Sequence, residues 1–273
     1  MQKIILCCFF VLFISKGVVA QDLIFSAPPR ESKQAGQALY QPLASFLSKM
    51  LDKKVTYVHP GNWLTYQNTM RDGGYDIAFD GPHFASWRVE HLQHEVLVKV
   101  PGTLQFYLII NKDDPNVKTS KDLIGRKVCG ISPPNLSTLA VLAHYNNPVR
   151  QPIIKGISGG MGKVFKTFSE QKCSGAVLRT IYFNKKLTDA QRSNVKIVFT
   201  SEPLTNQVIT MGKRVSRAEM EKVQIALLNT DEGNAALNPI LQRFNKKAKK
   251  FLASNNQDVE GVSRLLEGII FGW

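Results

Sequence analysis

Acidic residues are scarce in this sequence. Its 273 residues hold 21 Asp and Glu against 35 Lys and Arg, a formal charge of +14. Such a surplus points to an anionic partner (a ligand, a membrane surface or nucleic acid) and says nothing about fold. Cysteine is scarce too. Of four residues, Cys7 and Cys8 lie in the first twenty, and only Cys129 and Cys173 follow. Two cysteines offer too few ligands for a structural zinc site. No apolar stretch approaches the roughly 18 residues that span a bilayer. Also missing are a G-x-S-x-G elbow, a Gly-rich phosphate loop ending in Lys-Ser/Thr, and a dinucleotide fingerprint after the first strand. The chain is 44% hydrophobic and 21% charged, which excludes disorder, collagen and coiled coil as whole-chain readings.

What is present begins with an export signal. Lys3 precedes an unbroken apolar run of eleven residues, Ile4 to Ile14, and Val18-Val19-Ala20 ends in small residues. Cleavage after Ala20 is expected, giving a soluble periplasmic product. Cys7 and Cys8 lie ahead of that cut and no cysteine stands just after it, so a lipid anchor is not expected. An oxidising compartment usually bridges a lone cysteine pair. Cys129 and Cys173 are therefore expected to form a disulfide, worth about 2–4 kcal/mol by loop closure.

Beyond the signal, strand-like and helix-like segments alternate. Leu23–Ser26 reads as a strand. From Tyr40 apolar residues recur three and four apart, the period of an amphipathic helix. Strands are expected at Lys54–Val58 and Tyr75–Phe79, with a helix at Trp63–Met70 between them. A second unit starts at Lys127, with helices near Ser137–Tyr145 and Lys163–Gln171 and strands near Ala176 and Val195–Phe199. Such alternation predicts an α/β fold of two lobes, with mainly parallel sheets flanked by helices. The expected organisation is 1–20 signal peptide, 21–104 first part of lobe 1, 105–203 lobe 2, and 204–273 the return to lobe 1. In open parallel sheets, ligands sit beyond the carboxyl ends of strands. The segments there are Ala27–Arg30, Pro60–Trp63, Asp80–His83 and Ser132–Thr138.

Those segments carry the candidate site. Ser137 and Thr138 open a predicted helix, where hydroxyls and unpaired N–H groups can hold an oxyanion; plain helix capping explains them equally. Trp63 could wall a pocket or be half-buried core. Arg30 and Arg179, each just past a strand, could pair with an anion bidentately. Asp80 and His83 could form a catalytic dyad or a turn. His91 and His94 could share a metal or lie on a solvated face. The Lys246–Lys250 run reads as a solvated helix face, and no aromatic-basic interleaving points to nucleic acid.

The order of several stretches resembles a known family. They are Tyr40-Gln41-Pro42-Leu43, Tyr75-Asp76-Ile77-Ala78-Phe79-Asp80-Gly81-Pro82, Leu108–Asp113, Asp122–Val128 and Pro134-Asn135-Leu136-Ser137-Thr138. Together they look like the substrate-binding proteins of phosphate, phosphite and phosphonate ABC transporters, over about Leu23 to Gly233. The resemblance implies a type II periplasmic-binding fold with a ligand clamped between lobes. It implies that Trp63 packs near the phosphonate and that the Leu136-Ser137-Thr138 loop holds its oxygens; Asn135, Tyr40, Asp80 and Arg179 are further ligand-binding candidates beside it. One of three hydroxyl positions has become Leu136. The family's acidic position falls near Arg179 or Ile181, and its His after a Gly pair falls at Met161. An anion without an amine, or a larger and more apolar ligand, fits these departures.

The expected function is an exported solute-binding protein for a small oxyanion, monomeric, without cofactor or metal, delivering to an inner-membrane permease. An alternative is a ligand sensor acting on a membrane receptor. An exported enzyme using Asp80 and His83 is a third.

Overall fold

A computed structural model describes residues 22–267. The export signal and its cleavage point lie outside the described residues.

The chain runs through β1 (Leu23–Ser26), α1 (Lys33–Leu51), β2 (Val55–Tyr57), α2 (Trp63–Arg71), β3 (Ile77–Asp80), α3 (Pro82–Leu92), β4 (Glu95–Lys99) and β5 (Thr103–Leu104). The middle follows with β6 (Phe106–Asn111), β7 (Lys127–Gly130), α4 (Leu136–Leu142), β8 (Ile153–Gly156), α5 (Gly160–Ser169) and β9 (Gly175–Arg179). Next come α6 (Thr180–Lys186), α7 (Asp189–Ser193), β10 (Val195–Thr200) and β11 (Leu204–Thr205). The last part is β12 (Val208–Met211), α8 (Arg217–Asn229), α9 (Asp231–Phe244) and β13 (Leu252–Ala253).

Two main sheets form. The sheet of lobe 1 has the order β13-β4-β12-β3-β1-β2, and that of lobe 2 the order β10-β6-β9-β7-β8. Lobe 1 thus draws strands from both ends of the described chain and lobe 2 from its middle. Each sheet holds a parallel trio, β2-β1-β3 or β8-β7-β9, built by helical crossovers. The other pairings are antiparallel, so the sheets are mixed where the sequence pattern predicts mainly parallel ones. The reason lies in the connections. Strands β6 and β12 arrive from the other lobe without a helical crossover, and nothing obliges them to run parallel.

The two crossing segments pair as β5 and β11. Further bonds tie them: Gln105 Nε2 donates to the Ser201 carbonyl at 2.9 Å, and Asn206 Nδ2 donates to the Pro101 carbonyl at 3.0 Å. A third link lies near the C-terminus. Leu266 is buried with Tyr66 and Phe84 of lobe 1 and Leu139 of lobe 2.

Local chemistry sets the helices. Ser32 caps α1 by accepting from Ala35 N at 3.3 Å, and Tyr40, Leu43, Phe46, Leu47 and Leu51 form its buried stripe. The helix starts seven residues before the sequence expectation because its first turns, Lys33 to Gln37, show no apolar period; the cap was the available signal. A capping box of Ser216 and Glu219 starts α8. The Cys129–Cys173 disulfide forms, with Cα atoms 5.7 Å apart, tying β7 to the turn before β9.

Candidate functional site

The carboxyl ends of β1, β3, β7, β8 and β9 converge between the lobes around a cavity of about 280 Å³. These are the switch points of both parallel trios, where open α/β sheets leave a crevice. A larger groove of about 920 Å³ lies on lobe 2 at the opposite, amino ends of β7 and β9. It mixes Asp113 and Asp114 with Arg126 and Lys127. Of these two, the cleft is the one that combines convergent strand ends with charge of one sign among the described residues.

That charge is guanidinium. Arg30 follows β1, Arg243 lies on α9, and Arg179 ends β9 on the lobe 2 side. No Asp or Glu lines this cavity among the described residues. Arg243 is already compensated, its Nε donating to Glu31 Oε1 at 3.0 Å. Arg30 and Arg179 have no carboxylate partner among the described residues. The Arg30 guanidinium sits 5.7 Å from the centre of the Phe244 ring, and its Nη1 is buried without a hydrogen-bond partner. Burial lowers the pKa of Arg179 while leaving it a cation. Two partly desolvated cations facing one cavity are held at an electrostatic cost that a bound anion would relieve.

The rest of the wall is largely apolar. Trp63 opens α2 behind its cap Asn62, which accepts from Thr65 N at 2.9 Å. Its ring stacks 6.2 Å from Phe84, and both line the cavity. Gly159 and Gly160, both at positive φ, turn the chain sharply into α5, and Gly160 and Met161 face the cleft.

The structure brings together Arg30, Trp63, His83, Asn135, Leu136, Ser137 and Arg179 of the residues singled out from sequence. Asn135 caps α4, accepting from Ser137 N at 3.1 Å and from Ser137 Oγ at 2.7 Å. The Ser137 hydroxyl thus faces the cleft with its hydrogen directed to its own cap. Three others lie elsewhere. Thr138 is fully buried outside the lining, because its Oγ1 donates to the Ile131 carbonyl at 2.5 Å. Tyr40 is fully buried in the lobe 1 core against Phe25, Tyr57 and Phe79, since it belongs to the apolar stripe of α1. Asp80 is fully buried in an ion pair with Arg88, Nε to Oδ2 2.9 Å, and accepts from the Tyr66 hydroxyl at 2.5 Å.

These bonds also dissolve the Asp80–His83 dyad. His83 is turned to lobe 2, its Nε2 3.1 Å from the Pro134 carbonyl oxygen, and burial lowers its pKa to about 3. His94 is buried against Thr210 beyond the end of α3, whereas His91 is exposed on it. No cluster of three or more metal-ligating side chains occurs among the described residues. Arg243, Phe244 and Gln207 are cleft residues that sequence reasoning missed. They come from far along the chain and carry no local motif.

Comparison with known proteins adds the family. The family model for the ABC transporter phosphonate periplasmic substrate-binding protein matches residues 25–259. A phosphate-import protein, PhnD, of Mycolicibacterium smegmatis is 27% identical over 158 residues, 53% of this chain. The chain spans about half (48%) of the length of that curated relative. Several solved structures share the fold. A binding-protein component of an ABC phosphonate transporter from Pseudomonas aeruginosa is 15% identical at TM-score 0.57, covering 90% of this chain and 85% of its own. A PhnD protein of Prochlorococcus marinus in complex with methylphosphonate is 14% identical at TM-score 0.62, covering 90% and 97%. An ATP-bound protein of Xanthomonas citri is 11% identical at TM-score 0.68, covering 91% and 99%.

Proposed function

The chain belongs to the family of ABC-transporter phosphonate periplasmic substrate-binding proteins, and from that premise we propose that it captures a small phosphate-, phosphite- or phosphonate-type oxyanion and delivers it to an inner-membrane permease. One observation carries the reading to this cleft. Arg30 from lobe 1 and Arg179 from lobe 2 face a common cavity that no carboxylate of the described residues lines. An anion placed between them is attracted by both walls, so its binding favours the closed arrangement of lobes. The paired crossing segments β5 and β11 are the natural place for that hinge. Trp63 closes the apolar side, and backbone groups around Asn135, Leu136 and Ser137 border the head group. A lining without carboxylates among the described residues also disfavours ligands bearing an ammonium group. No reaction is required: the ligand leaves as it entered.

Export follows the same reading. Cleavage after Ala20 releases the chain into the periplasm, and the Cys129–Cys173 bridge suits that oxidising compartment.

Calorimetric titration of the mature protein with phosphate, phosphite and methylphosphonate tests the proposal. One-site binding of at least one of them is expected. No heat and no thermal shift with any of the three would remove it.

A further inference from the structure

The proposed function leaves open how the cleft tells one tetrahedral anion from another, and the following inference rests on it. The relevant feature is a notch at Gly81, the residue between β3 and α3. His83, two residues on, is 2% exposed and lines the cavity. Its Nε2 lies 3.1 Å from the Pro134 carbonyl oxygen. A carbonyl only accepts, so Nε2 carries the hydrogen. Burial keeps the ring neutral. A neutral ring protonated on Nε2 has a bare lone pair on Nδ1, and that atom has no hydrogen-bond partner. Buried acceptors without a donor are rare in folded proteins.

Arg30 is the other side of the notch. A Cβ on residue 81 would stand 3.0 Å from His83 Nδ1, 2.8 Å from His83 Cε1 and 3.9 Å from Arg30 Nη2. The backbone does not demand glycine there, because its φ of −70° suits any residue. Glycine lets the His83 ring pack this close to the backbone, and the cavity wall there pairs one acceptor with one charged donor. The Arg30 charge also acts on His83, and the Phe84 ring packs against it, 4.2 Å away between centroids.

A ligand group that satisfies both must accept and donate at once. We infer that the Gly81 notch is a specificity subsite for a protonated oxyanion, in which one ligand oxygen accepts from Arg30 and a hydroxyl of the same head group donates to His83 Nδ1. Phosphate and monoanionic phosphonates meet this requirement. Sulfate has the same shape and carries no proton near neutral pH, so its oxygens would confront the Nδ1 lone pair. Proton count on the ligand, rather than charge or size, is what the notch reads.

The test is parallel titration of the full mature protein with inorganic phosphate, methylphosphonate and sulfate at about pH 6, where the first two keep a proton. Sulfate is expected to bind about 10- to 100-fold more weakly than the better of the other two. Sulfate affinity within about twofold of that ligand overturns the subsite while leaving oxyanion capture standing. Failure of phosphate, phosphite and methylphosphonate alike to bind overturns the proposed function and the subsite with it. A Gly81→Ala variant supplies a second reading, since its methyl would stand 2.8 Å from His83 Cε1 and displace the ring. Its affinity for the protonated ligand should fall by about tenfold or more while its affinity for sulfate stays within about twofold of the parent's. A variant that binds undiminished also overturns the inference.

Discussion

Lobe 1 and lobe 2 share a strand order and are held by different means. Each sheet has a parallel trio in the order second-first-third, flanked by a strand arriving from the other lobe. Lobe 1 covers its sheet with the long helices α1, α8 and α9, which pack one large core from Leu23 to Phe251. Beside it lies a buried ion pair, Asp80–Arg88, with the Tyr66 hydroxyl bonded to both partners. Lobe 2 has shorter helices and splits its apolar residues into two smaller clusters. Its edge strands β8 and β10 are largely exposed. There the covalent bridge Cys129–Cys173 lies within one cluster. The same topology thus tolerates two solutions: extensive helix packing where the chain supplies long helices, and a disulfide where it does not.

The comparison can be broken from either side. The largest effect is expected from Asp80→Ala, which leaves the Arg88 guanidinium buried without its carboxylate. Unfolding in urea should show a loss of about 3–5 kcal/mol. A loss under about 1 kcal/mol would mean that lobe 1 does not depend on the pair. Next comes the double variant Cys129→Ser with Cys173→Ser, expected to cost about 2–4 kcal/mol. Limited proteolysis should then cut lobe 2 first; cuts appearing first in lobe 1 would contradict the division of labour.

Smaller effects concern the cleft. Arg179→Ala should weaken binding of whichever oxyanion is captured by about tenfold or more, with a melting temperature close to the parent. Since Arg179 is the lobe 2 guanidinium of the cavity, unchanged affinity would mean that lobe 1 alone holds the anion. The least effect is expected at the surface. Glu219 has its pKa lowered to about 2 by hydrogen bonds from Lys53 and Ser216. Its folded pKa lies below the unfolded one, so its stabilisation is present above about pH 4.5 and is lost as pH falls toward 2. The pair is partly exposed and should contribute about 1 kcal/mol or less. Stability curves of the parent and Glu219→Gln should therefore converge on acidification.

Much of this was legible beforehand where chemistry is local. The strand at Leu23–Ser26 and the helix beginning at Trp63 stand where their patterns placed them. The cysteine pair was legible because export leaves few alternatives for two thiols. The strand β12 was not foreseen. Its four residues, Val208 to Met211, are too short a run to announce a strand that becomes central only by inserting between β3 and β4.

The cleft was legible in part. Its loops follow from strand ends, and so Arg30, Trp63, Ser137 and Arg179, singled out there, line the cavity. Tyr40 and Asp80 were misplaced because a polar atom in a sequence does not show whether it meets a cavity or a buried partner.

The sequence by itself determined the charge balance, the alternation of elements, the capped helix starts and the family resemblance, because each depends on neighbours a few residues apart. Only the tertiary structure decided which cations face one another. Arg30, Arg179 and Arg243 are far apart along the chain and meet because two sheets turn their strand ends toward a common space. It also decided that Asp80 serves Arg88 and not a ligand, since burial makes an ion pair depend on who stands beside it in space.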